Sequence, residues 1–216
     1  MAKVGSYRIQ IEDLDFAYSK KTPLFQNFRL QVDENQICYV LGQNGSGKTT
    51  LMNLIAGQLP TSKGRIQIAN SQGEKHLNVI RAYSAVKEHQ FFSHLNGLEN
   101  LQCFQKLFSI ADEKMKLQRE AWNQLGTFRR ALLEPYRQCS TGMRKVLSLY
   151  RSFLLGDGLL LWDEPLSGLD SETRIKLLEL LKTNFKIKPF TALISTHEIS
   201  DFAGLPGSIV QLGSNS

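Results

Sequence analysis

The stretch Gly42-Gln43-Asn44-Gly45-Ser46-Gly47-Lys48-Thr49-Thr50 constrains this chain more than any other. It fits the phosphate-loop pattern G-x-x-x-x-G-K-[ST] in full. Its flanks fit as well. Ile37-Cys38-Tyr39-Val40-Leu41 enters as a buried apolar strand, and Leu51, Leu54 and Ile55 leave at helical spacing. Glycines at 42, 45 and 47 let the backbone curl, so that successive N–H groups face inward as an anion nest. The following helix aims its positive end at the same spot. Lys48 can reach the β- and γ-phosphates as a mobile charge, and the Thr49 hydroxyl suits Mg²⁺. The pattern predicts a nucleoside triphosphate held by Gly42, Asn44, Gly45, Ser46, Gly47, Lys48, Thr49 and Thr50.

The length of 216 residues suits one domain, and an apolar fraction of 42% supports a full core. No run approaches the ~18 apolar residues of a membrane-spanning helix. The longest candidate, Leu147 to Trp162, is broken by Arg151 and Asp157. Met1 to Gln10 has no apolar core, so no signal peptide is expected. The cysteines at 38, 103 and 139 are odd in number and lack metal-ligand spacing, which suits a reducing cytosol. A net charge of +6 fits a solvated surface, and no nucleic-acid partner is expected.

In chain order, Tyr7 to Leu14 alternates apolar and polar residues, as a half-buried strand does. Phe16 and Tyr18 follow, and either can stack on a base or serve the core. Leu24 to Val32 reads as a second strand, and Asn35 can take the left-handed conformation in the turn after it. Gly57 can close the helix that follows the phosphate loop. Lys63 to Ile68 and Val79 to Ser84 read as further strands. From about 88 to 145 the apolar residues recur at helical spacing, which predicts a helical insertion between strands. Ser140-Thr141-Gly142-Met143-Arg144-Lys145 opens a helix with Val146, Leu149, Tyr150, Phe153 and Leu154 on one face. A serine and a glycine at a helix start can hold an anion.

Leu159-Leu160-Leu161-Trp162 reads as a buried strand with Asp163 and Glu164 at its carboxyl end. That end of a parallel sheet is where ligands bind. Asp163 can hold Mg²⁺ opposite Thr49, and Glu164 can take a proton from an attacking water. Asp170 or Ser171 can cap the next helix. Phe190 to Ser195 is another buried strand, and His197 after it can bond a γ-phosphate oxygen or the water. Ser208 to Leu212 closes the fold.

The order of these pieces resembles the ATP-binding cassette (ABC) family over nearly the whole chain. Gly42–Thr49 is similar to its Walker A motif, and Leu159–Glu164 to Walker B with the catalytic glutamate. Ser167–Asp170 looks like the D-loop and His197 like the switch histidine. Ser140-Thr141-Gly142-Met143 is similar to part of the signature, with Cys139 where leucine is usual. Tyr18 falls where the family stacks an aromatic on adenine. The resemblance implies an α/β P-loop NTPase core with a mainly parallel sheet flanked by helices. It adds an N-terminal antiparallel β part and a helical insertion. Residues 1–87 and 146–216 would form the nucleotide core and about 88–145 the helical part.

The resemblance further implies that two cassettes meet head to tail around ATP and Mg²⁺. Ser140 and Gly142 of each would contact the partner's nucleotide. Lys48, Glu164 and His197 would serve hydrolysis, and Thr49 and Asp163 the metal. The family's usual sensor glutamine is missing from its expected place, which leaves it unassigned between Glu88 and Gln90. A separate integral-membrane permease, met on the cytoplasmic face, is the implied partner. A soluble cassette acting on nucleic acid or ribosomes is the alternative. Ser140 to Lys145 and the Leu95–Leu101 stretch look like bacterial drug/lipid or haem exporters, which leans toward export.

Overall fold

A computed structural model describes residues 7–19, 22–61, 63–70, 72–73, 75, 83–84, 91–156 and 158–213. Three strands form an antiparallel sheet in the order β2-β1-β4, from Arg8–Phe16 (β1), Phe25–Val32 (β2) and Lys63–Ala69 (β4). Five strands form a parallel sheet in the order β5-β6-β7-β3-β8. They are Ile37–Leu41 (β3), Tyr83–Ser84 (β5), Leu159–Asp163 (β6), Thr191–Thr196 (β7) and Ser208–Gln211 (β8). The six α-helices among the described residues begin with Lys48–Ile55 (α1), Gly97–Leu107 (α2) and Asp112–Trp122 (α3). Gly126–Leu133 (α4), Thr141–Leu155 (α5) and Ser171–Ile187 (α6) follow.

Strands β3, β6 and β7 of the parallel sheet are buried on both faces, as their continuous apolar runs require, while the edge strand β8 is largely exposed. Alternate residues serve two different cores. Cys38, Val40, Leu159, Leu161 and Leu193 face α1 and the antiparallel sheet. Ile37, Tyr39, Leu160, Trp162, Ala192 and Ile194 face the helical side, built from α2 to α6. Trp162 is wholly buried there, as the sequence suggests, and its indole N–H donates to Ser152 Oγ at 2.8 Å.

Local chemistry sets the element ends. Asn35 takes φ 61° in the turn before β3, and Gly57 takes φ 70° just past α1. Asn96 and Glu99 form a reciprocal capping box at the start of α2. Asp170 caps α6, accepting from the Thr173 N–H at 2.9 Å and from its hydroxyl at 2.7 Å. Thr127 on α4 donates to the same carboxylate at 3.3 Å, so one aspartate joins two helices. These bonds hold the Asp170 carboxyl below the usual carboxylate range, the Thr173 backbone bond foremost.

Asp170→Ala should therefore cost about 1 kcal/mol of unfolding free energy near neutral pH. The contribution is whole above about pH 4, where the unfolded carboxyl is ionised, and fades as pH falls through the depressed folded value. Urea unfolding of both proteins at pH 7 and pH 3 checks this, and the gap between them should narrow at the lower pH.

Candidate nucleotide site

The site lies along the carboxyl edge of the parallel sheet. β7 sits between β3 and β6, with Leu41 opposite Thr196 and Asp163 opposite Ser195. This register brings the phosphate loop after β3, the carboxylates after β6 and the histidine after β7 to one edge.

The loop curls as its glycines predict. Gly45 and Gly47 take φ 85° and 98°, which side-chain-bearing residues rarely adopt. A side chain at Gly42 would collide with the Ser46 hydroxyl. The Lys48 ammonium is folded back onto the carbonyls of Gly42 at 2.7 Å and Gln43 at 3.1 Å, and it is buried. Thr49 Oγ1 donates to Asp163 Oδ2 at 2.7 Å. Glu164 Oε1 lies 2.6 Å from His197 Nε2 and 3.8 Å from Lys48 Nζ. Five of the expected site residues, Lys48, Thr49, Asp163, Glu164 and His197, thus form one connected cluster.

These residues fit a nucleotide with a divalent cation. The Ser46 hydroxyl lies beside Gly42, buried and with no hydrogen-bond partner among the described residues. A phosphate oxygen is an acceptor that would satisfy it. Thr49 and Asp163 bring a hydroxyl and a carboxylate together, a hard-oxygen pair that suits Mg²⁺.

Tyr18 is 69% exposed and stands at the rim of a pocket of about 420 Å³ that Asn44, Gly45 and Ser46 also line. Its hydroxyl is 3.0 Å from Thr50 Oγ1. Phe16, by contrast, is core and holds the Tyr18 ring edge-on at 5.1 Å. Ser140 and Gly142 sit at the start of α5. The Ser140 hydroxyl caps that helix, accepting from Met143 N at 3.3 Å, while its side chain is exposed. Gly142 approaches the carbonyl of Gly168 so closely that a Cβ would sit 3.1 Å from it. The Glu88–Gln90 stretch, where the sequence places the sensor, lies outside the described residues.

Two participants escape a reading of the sequence. Ser195 donates to Asp163 Oδ1 at 2.6 Å and accepts from Glu164 N at 2.9 Å. It looks like an ordinary strand residue, and only the β6–β7 register reveals it. Lys145 donates to the carbonyls of Asp163 at 3.3 Å and Glu164 at 3.0 Å. In sequence it looks like one more solvated charge at a helix start.

The family model described as ABC transporter matches residues 25–167, well over half of the chain. The chain belongs to the ABC transporter family. It is an ABC ATPase domain, and the α/β P-loop fold expected from the sequence is the fold observed. Curated relatives agree over most of their length. The ergothioneine transport ATP-binding protein EgtV of Helicobacter pylori is 28% identical, covering 88% of this chain and 90% of its own. The ABC transporter ATP-binding protein YtrE of Bacillus subtilis is 31% identical over 88% and 87%. The thiamine import ATP-binding protein ThiQ of Aliivibrio fischeri is 32% identical over 88% and 82%. Among solved structures, a dimeric bacterial ABC transporter cassette superposes with a TM-score of 0.75 at 21% identity, covering 94% of both chains. That likeness concerns the fold.

Proposed function

We propose that this chain is the ATP-hydrolysing subunit of an ABC transporter, closing as a dimer around ATP to drive a separate membrane-spanning permease. The observation that carries the reading is the single cluster of Lys48, Thr49, Asp163, Glu164 and His197 at one sheet edge. Each has the chemistry that phosphoryl transfer to water needs. Lys48 exchanges the Gly42 and Gln43 carbonyls for the β- and γ-phosphates. Glu164 accepts the proton of the attacking water, and His197 fixes the carboxylate and the water in line. Thr49 and Asp163 would hold Mg²⁺, which would supply charge to offset the negative charge building on the transferred group.

Ser140 and Gly142 are exposed or half-exposed at a helix start, which suits them to the nucleotide of the partner copy. Tyr18 stacks on the adenine. Tyr18→Ala should weaken ATP binding about tenfold, the worth of one stacked base, without lowering the melting temperature. Tyr18→Phe should bind nearly as well as the parent, and fluorescence titration with a labelled ATP checks both.

No helix among the described residues is long and apolar enough to cross a membrane. The proposed permease would be met at the cytoplasmic face by the helical part. The names of the relatives include thiamine import, so the lean toward export has no support from them and the function is stated without a direction. Affinity purification of the tagged chain from detergent-solubilised membranes tests the reading. A co-purifying multi-span membrane protein is the expected result. Ribosomes or RNA in its place would favour the soluble alternative.

A further inference from the structure

Lys145 is 8% exposed and lies in the first turns of α5, with its ammonium bonded to two main-chain carbonyls of the catalytic loop. Burial pushes the ammonium below the usual lysine range, opposed by the charges of Asp163 and Glu164. An ammonium placed there for stability alone would be a poor choice. Desolvating it is costly, and an apolar side chain of similar length would fill the same space more cheaply.

The backbone it grips is unusual. Glu164 takes φ 47°, a left-handed conformation that a non-glycine residue adopts only where its surroundings hold it. Both polar groups of that residue's main chain are held. Its N–H donates to Ser195 Oγ, and its carbonyl accepts from Lys145 Nζ at 3.0 Å and from the Ser167 N–H within the turn at 3.2 Å, so Lys145 is the tie that joins it to α5. The same face of α5 carries a row of further polar ties. Ser148 bonds Ser84 at 3.0 Å, Arg151 donates to the Tyr83 carbonyl at 3.2 Å, and Ser152 accepts from Trp162. These fasten α5 to β5 and β6. Lys145 alone in the row reaches the carboxylate loop itself.

We infer that Lys145 is a positioning residue that locks the left-handed turn at Glu164 to the helix whose first turn carries Ser140 and Gly142. The inference rests on the composite-site reading above, in which Glu164 takes the water's proton. In each chain, the helix start offered to the partner's nucleotide is then rigidly joined to the carboxylates that serve the chain's own. A shift of the turn by a fraction of an ångström moves the Glu164 carboxylate off the line of attack, while the phosphate loop keeps its grip on ATP.

Steady-state ATPase kinetics, thermal melts and ATP titrations on the full chain test this with Lys145→Met, Lys145→Arg and Glu164→Gln side by side. Lys145→Met should melt at or above the parent temperature and bind ATP with unchanged affinity. Its kcat should fall about tenfold or more, with KM within a factor of about two, as expected for a misplaced catalytic group. Lys145→Arg, which keeps donors and charge, should recover most of that loss. Glu164→Gln should lose about a hundredfold or more in kcat. If it does, and Lys145→Met turns over like the parent, or Arg rescues no better than Met, the role assigned to Lys145 is overturned. If Glu164→Gln stays active, the reading of Glu164 fails first. Should Lys145→Met not fold, Lys145→Leu replaces it. If neither folds, the ammonium serves the fold, which also overturns the inference.

Discussion

Glu164→Gln should lower the ATP turnover rate by about 10²–10⁴-fold, the worth of a positioned general base, while ATP affinity stays near that of the parent. The geometry separates the two quantities. Glu164 meets the phosphate loop through a long 3.8 Å approach to Lys48, whereas the loop's curl comes from Gly45 and Gly47 and from the Lys48 ammonium on the Gly42 and Gln43 carbonyls. Its carboxylate faces His197 at 2.6 Å, and on the proposed reading it meets the water that attacks the γ-phosphate. Glutamine keeps the size and a hydrogen-bond acceptor but has no basic oxygen. Removing its charge also removes a repulsion toward the γ-phosphate, so binding in the variant should hold or tighten. Single-turnover hydrolysis with equilibrium binding of labelled ATP measures both. A variant that hydrolyses at the parent rate would move the base to another residue.

Lys48→Ala should raise the ATP dissociation constant about a hundredfold, the worth of two charge-assisted hydrogen bonds. The ammonium now bonded to the Gly42 and Gln43 carbonyls is already buried, so moving it to phosphate adds little desolvation. Alanine leaves the two carbonyls without this donor as well, and a lower melting temperature of the nucleotide-free protein should accompany the lost affinity. Lys48→Arg should not restore binding, because the planar guanidinium cannot follow the compact ammonium into the loop. Isothermal titration with Mg·ATP reads the affinity. Binding at the parent level in Lys48→Ala would contradict the phosphate-loop assignment.

Much of the site was legible because its pieces are local. The phosphate loop is a property of consecutive backbone angles, and Asp163-Glu164 and His197 follow apolar strands whose burial is plain from composition. Strand ends were legible for the same reason: β2, β4 and β6 fall within a residue or two of the expected bounds. What was not legible depends on which strands become neighbours. Ser195 matters only because β7 lies beside β6 in one register, and a slip of one residue would turn its hydroxyl to the other face. Lys145 matters only because α5 packs across the end of β6. The helical spacing over about 88–145 does not show where one helix ends and the next begins, and α2, α3 and α4 are set apart there by their caps and packing. The Asn96–Glu99 capping box is the sequence signal for the start of the first of them.

The most direct test of the two-copy composite site is the molar mass of Glu164→Gln with and without Mg·ATP, measured by light scattering behind size exclusion. The variant should elute as one chain of 24.4 kDa without nucleotide and as twice that mass with it. Adding Gly142→Asp, which sets a like charge against the partner's γ-phosphate, should return it to one chain. A mass that stays at one chain in saturating Mg·ATP would contradict the shared site.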